Sequence, residues 1–168
     1  MRSTREIIVG ERCLEMEALL RKALSKKTCF IGIGNVLKGD DGVGPSLIQR
    51  INKTNDILCI DAGTTPENQL GTIIRFHPER IIFIDATDLG KKPGEFELID
   101  SDHIVNKGFT THDISPALLL NFLKQETNAT LHLLGIQPES MLFGSPISET
   151  VERTIADLAE IINRILSE

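Results

Sequence analysis

Tryptophan and tyrosine are absent from this chain of 168 residues, and phenylalanine, with seven copies, is left as the only bulky aromatic. The core must therefore be aliphatic, with some phenylalanine. Cysteine is scarce: Cys13, Cys29 and Cys59 are widely spaced and form no Cys-x-x-Cys pair, so a zinc ribbon or a thioredoxin-like site has no support. Cys29 and Cys59 fall inside the apolar runs TCFIGI and ILCIDA and read as small buried hydrophobes. An odd number of unpaired thiols suits a reducing cytoplasm. Long apolar runs are missing; none approaches the length of a membrane span, and MRSTREIIVGERC lacks the apolar segment a secretory signal needs. Basic charge is also in deficit, with 18 Lys and Arg against 24 Asp and Glu and a formal net charge of −6, which removes the electrostatic footprint expected for nucleic acid. No serine sits in a GxSxG elbow, and no GKS or GKT marks a P-loop. With 13 glycines and 7 prolines the composition does not suggest disorder, and the length fits one ordinary domain.

What is present is an alternation of short apolar runs and amphipathic segments. Residues 12–26 are expected to form a helix, because Cys13, Met16, Leu20 and Leu24 recur at spacings of three and four. TCFIGIG (28–34), DILCIDAG (56–63), RIIFIDATD (80–88) and TLHLLGI (130–136) read as buried strands. EFELI (95–99) alternates polar and apolar after the turn signal KKPG, which predicts a half-exposed, antiparallel edge strand. Val43, Leu47, Ile48 and Ile51 mark a helix with Pro45 in its first turn; residues 66–75 form a short helix or loop; Ser115-Pro116 opens another helix, with serine as N-cap. Val151, Ile155, Leu158, Ile162 and Ile165 give a long closing helix capped by Ser148. The pattern is α/β: three layers, with a twisted, mostly parallel sheet of about five strands between helices, plus an extra N-terminal helix.

The stretch GIGNVLKGDDGVG (32–44) crowds five glycines, an asparagine and two aspartates between a strand and a helix. A dinucleotide fingerprint would need glycine where Leu37 stands, and two carboxylates beside a helix N-terminus would repel a phosphate. The same helix end stabilises a carboxylate, so one aspartate is expected to cap the helix and the other to hold a cation or a water. In a parallel sheet the strand C-termini share one rim, where ligands bind. Asp41 follows the first strand, Asp61 ends the second, Asp85 ends the third, and His112 in TTHDISP joins them if its helix leads into the last parallel strand. Two carboxylates and an imidazole suit nickel or zinc. His77, His103 and His132, in a loop, a polar stretch and a strand, are weaker candidates.

Taken together, GIGNVLKGDDGVGP (32–45), DAGTTPENQL (61–70), FIDATDLGKKPGEF (83–96), TTHDISP (110–116) and LLGIQPES (133–140) resemble the nickel–iron hydrogenase maturation endopeptidases, most closely the branch serving formate hydrogenlyase. The resemblance runs from about residue 28 to the C-terminus. It implies a maturation-protease domain over 28–168, with 1–27 as an N-terminal extension. It further implies removal of a C-terminal extension from the immature large subunit after nickel insertion. Asp41, Asp85 and His112 become the metal-binding and catalytic cluster, with Gly34, Asn35, Asp61, Gly63 and Thr64 along the substrate cleft. Nickel is implied to arrive in the substrate, so that the resting enzyme can be metal-free. The expected setting is cytoplasmic, with no nucleic acid and no membrane insertion. The alternatives are a non-cleaving nickel-handling or chaperone module for the large subunit, and a general metallopeptidase or amidase with its own metal.

Overall fold

A computed structural model describes the backbone of residues 4–107 and 115–168 and the side chains of residues 14–104 and 115–168. Five strands, β1 (Thr28–Ile33), β2 (Ile57–Gly63), β3 (Arg80–Ala86), β4 (Phe96–Asp100) and β5 (Thr130–Ile136), form one sheet in the order β2-β1-β3-β5-β4. β1, β2, β3 and β5 are mutually parallel, and β4 runs antiparallel to β5 at the edge. The alternating EFELI segment is thus the antiparallel edge strand its pattern predicts. Six helices complete the chain: α1 (Thr4–Leu24), α2 (Val43–Ile48), α3 (Leu70–Phe76), α4 (Ser101–Lys107), α5 (Pro116–Thr127) and α6 (Glu149–Leu166).

The two-residue period of the strands sorts the core into two halves. Phe30, Ile82, Ile84, Leu134 and Ile136 share one apolar cluster with Leu20 of α1, Leu47 of α2 and Leu158 of α6. Ile31, Ile33, Ile81, Phe83, Leu131 and Leu133 share the other with Ile73 of α3, Ile104 of α4 and Leu120 of α5. Cys29 and Cys59 are buried and free, as their apolar runs imply, and burial pushes the Cys59 thiol up to about 11. Ser115 and Ser148 cap α5 and α6 by accepting the Leu118 and Val151 amides.

Three features depart from the sequence reading. α1 begins at Thr4 instead of near residue 12. Residues 66–75 divide into a 3-10 turn (Pro66–Gln69) and α3. α4 has no counterpart in the reading, because SDHIVNK is polar and shows no helical stripe. At the front of the sheet α2 lies almost on the backbone: a Cβ on Gly44 would come within 2.3 Å of the Ile33 carbonyl oxygen and 2.4 Å of that of Ile84. Only glycine allows this approach, and it brings the loop before α2 to the ends of β1 and β3.

Candidate active site

The loop from β1 to α2 leaves the sheet at Gly34, whose φ is +138°. A Cβ there would stand 1.7 Å from the Asp41 carbonyl oxygen, so the loop can double back across this point only with glycine. The chain then makes a 3-10 turn over Gly39–Gly42, which contains both aspartates. Neither caps a helix: the 3-10 turn and α2 both start without a side-chain cap, which corrects the capping role expected for one of them. The Asp41 carboxylate instead reaches back six residues and accepts the Asn35 N–H at 2.9 Å.

Asp40 is wholly buried. One of its oxygens accepts the N–H groups of Glu139 and Ser140, at 2.8 and 3.0 Å, and the Ser148 hydroxyl at 2.9 Å. The other accepts the Ser148 N–H at 2.7 Å. Burial by itself would raise the pKa of this carboxyl, but the four hydrogen bonds outweigh it and hold the group below its ordinary range. Asp40 is therefore a clamp between the glycine loop and the segment before α6. The sequence reading missed this role, because its partners lie about a hundred residues downstream.

Asp85 sits near the end of β3, paired in register with Gly135 of β5. It is only 2% exposed, and its Oδ2 has no hydrogen-bond partner. Burial pushes its pKa well above the usual carboxylate range. The negative charge of Asp41 adds to the shift, and the Ala86 amide opposes it. The two aspartates singled out from the sequence are thus electrostatic neighbours, one on a loop and one on the central strand.

Asp61 belongs to a different environment. It is exposed, and its carboxylate accepts the Gly63 N–H at 3.0 Å. At the end of the β1–β2 pair the register slips by one residue, with Gly32 opposite Asp61 and Ile33 opposite Gly63. The Gly34 N–H then bonds the Gly63 carbonyl at 2.8 Å. Beside this irregularity lies a groove of about 320 Å³, lined by Gly34, Asn35, Asp61, Gly63 and Thr64, with Val36 and Pro45 completing the wall. The five residues first grouped from the sequence are therefore together, and Asn35 joins the groove to Asp41.

His112 lies outside the described residues. The topological condition for its reaching the same rim is met, since α5 leads into β5 and β5 runs parallel to β3. His103 is exposed on α4, and His77 is exposed at the end of α3. His132 is buried early in β5: its Nε2 lies 3.0 Å from Arg80 Nη1, and its Nδ1 lies 3.0 Å from an Asp100 oxygen. Burial and the Arg80 charge outweigh Asp100 and lower its basicity. Among the described residues no group of three His, Cys, Asp or Glu side chains is arranged to hold a metal, and no helix is long and apolar enough to cross a membrane.

The sequence matches the family model of the HycI hydrogenase maturation proteases over residues 43–165. It is 34% identical over 126 residues to the hydrogenase 3 maturation protease of Escherichia coli K12, a match covering 73% of this chain and 80% of the relative. The crystal structure of a [NiFe] hydrogenase maturation protease HycI from Thermococcus kodakarensis superposes with a TM-score of 0.81 at 31% identity, covering 89% of this chain and 99% of that one. The E. coli endopeptidase HybD, at 22% identity and a TM-score of 0.64, shares the fold. A parallel sheet with a carboxylate pair at its rim is common to many hydrolases, but matches of this extent and identity are specific: the chain belongs to the hydrogenase maturation protease family.

Proposed function

We propose that this protease is an endopeptidase that removes the C-terminal extension of the nickel-loaded large-subunit precursor of a [NiFe] hydrogenase, in the cytoplasm, and that Asp41, Asp85 and His112 form its working cluster. The observation that carries the reading is Asp85. A carboxyl group that is 2% exposed, with one oxygen unpartnered and a second carboxylate acting on it, opposes folding by its desolvation and by like-charge repulsion. Such an arrangement is characteristic of sites where a cation or a reacting proton completes the balance. The donor set fits nickel, a borderline ion that accepts carboxylate and imidazole. Nickel belongs to the substrate in this reading, and once bound between the carboxylates it can polarise a carbonyl or favour a hydroxide.

The chain's own residues do the rest. Asn35 fixes the Asp41 carboxylate through its backbone N–H, and the Asp85 carboxyl, deprived of solvent, holds a proton more tightly than an exposed aspartic acid. Asp85 can therefore hold and deliver a proton at higher pH than an exposed aspartic acid does, as general acid–base work requires. The groove beside Asn35 receives the peptide segment next to the scissile bond, with Asp61, Gly63 and Thr64 on its far wall.

The test is incubation with nickel-loaded precursor. A mobility shift on a denaturing gel, matched by mass spectrometry of the released segment, is the expected result. Co-elution of the two chains without cleavage would instead make the protein a binding module.

A further inference from the structure

Five large apolar side chains stand in water on the two segments that Asp40 ties together. Val36 and Leu37, on the glycine loop, are 59% and 58% exposed, and Met141, Leu142 and Phe143 are 47%, 68% and 76% exposed. Among the described residues only three other large apolar side chains, Leu14 and Leu19 on α1 and Leu118 on α5, are as open. The two segments are zipped by backbone bonds: Gly144 N–H to the Leu37 carbonyl at 2.7 Å, Gly39 N–H to that of Ser145 at 3.1 Å, and Asp40 N–H to that of Ser140 at 2.9 Å. The buried Asp40 carboxylate adds its four hydrogen bonds from Glu139, Ser140 and Ser148. A loose loop could fold its apolar side chains inward; this backbone is held so that they project. Exposed apolar side chains gathered on two segments that backbone bonds hold together mark a surface suited to a partner.

The position of the patch names the partner. Val36 belongs to it and also lines the groove next to Asp41, so whatever enters the groove continues onto the patch. At about 320 Å³ the groove is at the small end of ligand pockets, which span roughly 300–1,000 Å³. It has room for a few residues of a peptide and cannot by itself distinguish one folded protein from another. We propose that Val36, Leu37 and Met141–Phe143 form a docking platform for an apolar surface on the folded body of the protein substrate, separate from the segment that is cut. This rests on the protease reading above. Asp40 is then a positioning residue: it touches no substrate and sets the platform against the groove.

The experiment titrates labelled nickel-loaded precursor with the wild-type chain, with L142S/F143S and with L14S, an exposed leucine on α1, and follows cleavage in parallel. Truncating two central apolar contacts is expected to weaken precursor binding by at least about tenfold, as losing interface anchors does, while L14S binds like wild type. Because Leu142 and Phe143 project into solvent, the double variant should melt with the wild type, and V36S/M141S provides a second pair should it not. Equal affinity of wild type and both pairs would overturn the platform. So would sedimentation showing that the wild type self-associates through this patch while precursor affinity is unchanged in the variants. A wild-type chain that binds the precursor but never cuts it would refute the protease reading alone, and the affinity comparison would still decide the platform.

Discussion

Asp85 is held against its own solvation, and its behaviour separates chemistry from stability. Asp85→Asn and Asp41→Asn are each expected to reduce precursor processing by a hundredfold or more, on the scale of about 10²–10⁴ that positioned acid–base groups contribute. Asp61→Asn, at an exposed position whose carboxylate accepts the Gly63 N–H, should lose far less; a processing assay on the three variants orders them. Stability follows a different rule. The folded state raises the pKa of Asp85 above that of the unfolded chain, so the folded chain binds this proton more tightly. Its contribution is present at pH values below about 3.9, the ordinary aspartate value, and is lost as pH rises toward the folded value. Melting temperature measured from pH 4 upward should therefore fall less steeply in Asp85→Asn than in wild type. That Asp41 and Asp85 come to one rim was legible in the sequence, because one follows a strand and the other ends its parallel neighbour; what set Asp85 apart from Asp61, which also ends a strand in Ile-Asp-Ala, was the resemblance alone. Asp40 was not legible: its identity as a clamp depends on amides of Glu139, Ser140 and Ser148 that no local pattern brings near.

At the scale of elements, the glycine loop works because its neighbours are immovable. Asp40→Ala would leave three amides and a hydroxyl without their acceptor and is expected to destabilise the fold by about 2–4 kcal/mol, since each buried donor left unpaired costs roughly 1–3 kcal/mol and some of these can find water. Urea denaturation measures it, and the same variant should show faster amide exchange over residues 139–145. The Asp40 contribution has the opposite pH sense to that of Asp85: its pKa is lowered on folding, so its stabilisation is present above the ordinary aspartate range and disappears on acidification. Gly44→Ala tests the contact between α2 and the sheet. A methyl group 2.3 Å from the Ile33 carbonyl must push α2 outward, and overpacking of this sort costs about 1–3 kcal/mol or more; a lowered melting temperature with impaired processing is expected, because α2 carries the loop with it. The strands were legible almost to the residue, since buried apolar runs between glycines leave few alternatives. The short elements were not. α4 is held in place by Ile104 reaching the core, a tertiary choice that the local sequence SDHIVNK does not announce.

For the molecule as a whole, α1 is packed into the domain along its second half. Met16, Leu20, Ala23 and Leu24 lie in the same cluster as Phe30 and Leu158, and Arg21 pairs with Glu17 and with Glu168 near the C-terminus. The resemblance that carried the sequence reading starts at about residue 28, and so was silent on what the preceding residues do. Leu20→Ala is expected to destabilise the fold by about 2–5 kcal/mol, the usual range for a buried leucine. Wild-type stability in that variant, measured by chemical denaturation, would show that α1 is an appendage. The α/β class and the mostly parallel sheet followed from the alternation of strands and helices; the strand order β2-β1-β3-β5-β4 came from the structure. The attachment of α1 could not be read, because the cluster it joins is assembled from residues spread over the whole chain.

The pairing of Asp85 with Gly135 also sets a timetable. β3 can pair with β1 once residues 80–86 are made, but its other neighbour is supplied only by residues 130–136. A chain still emerging from the ribosome carries both aspartates without the strand that shuts water away from one of them. With Asp41 and Asp85 in the roles proposed for them, the site is complete only once β5 has joined the sheet.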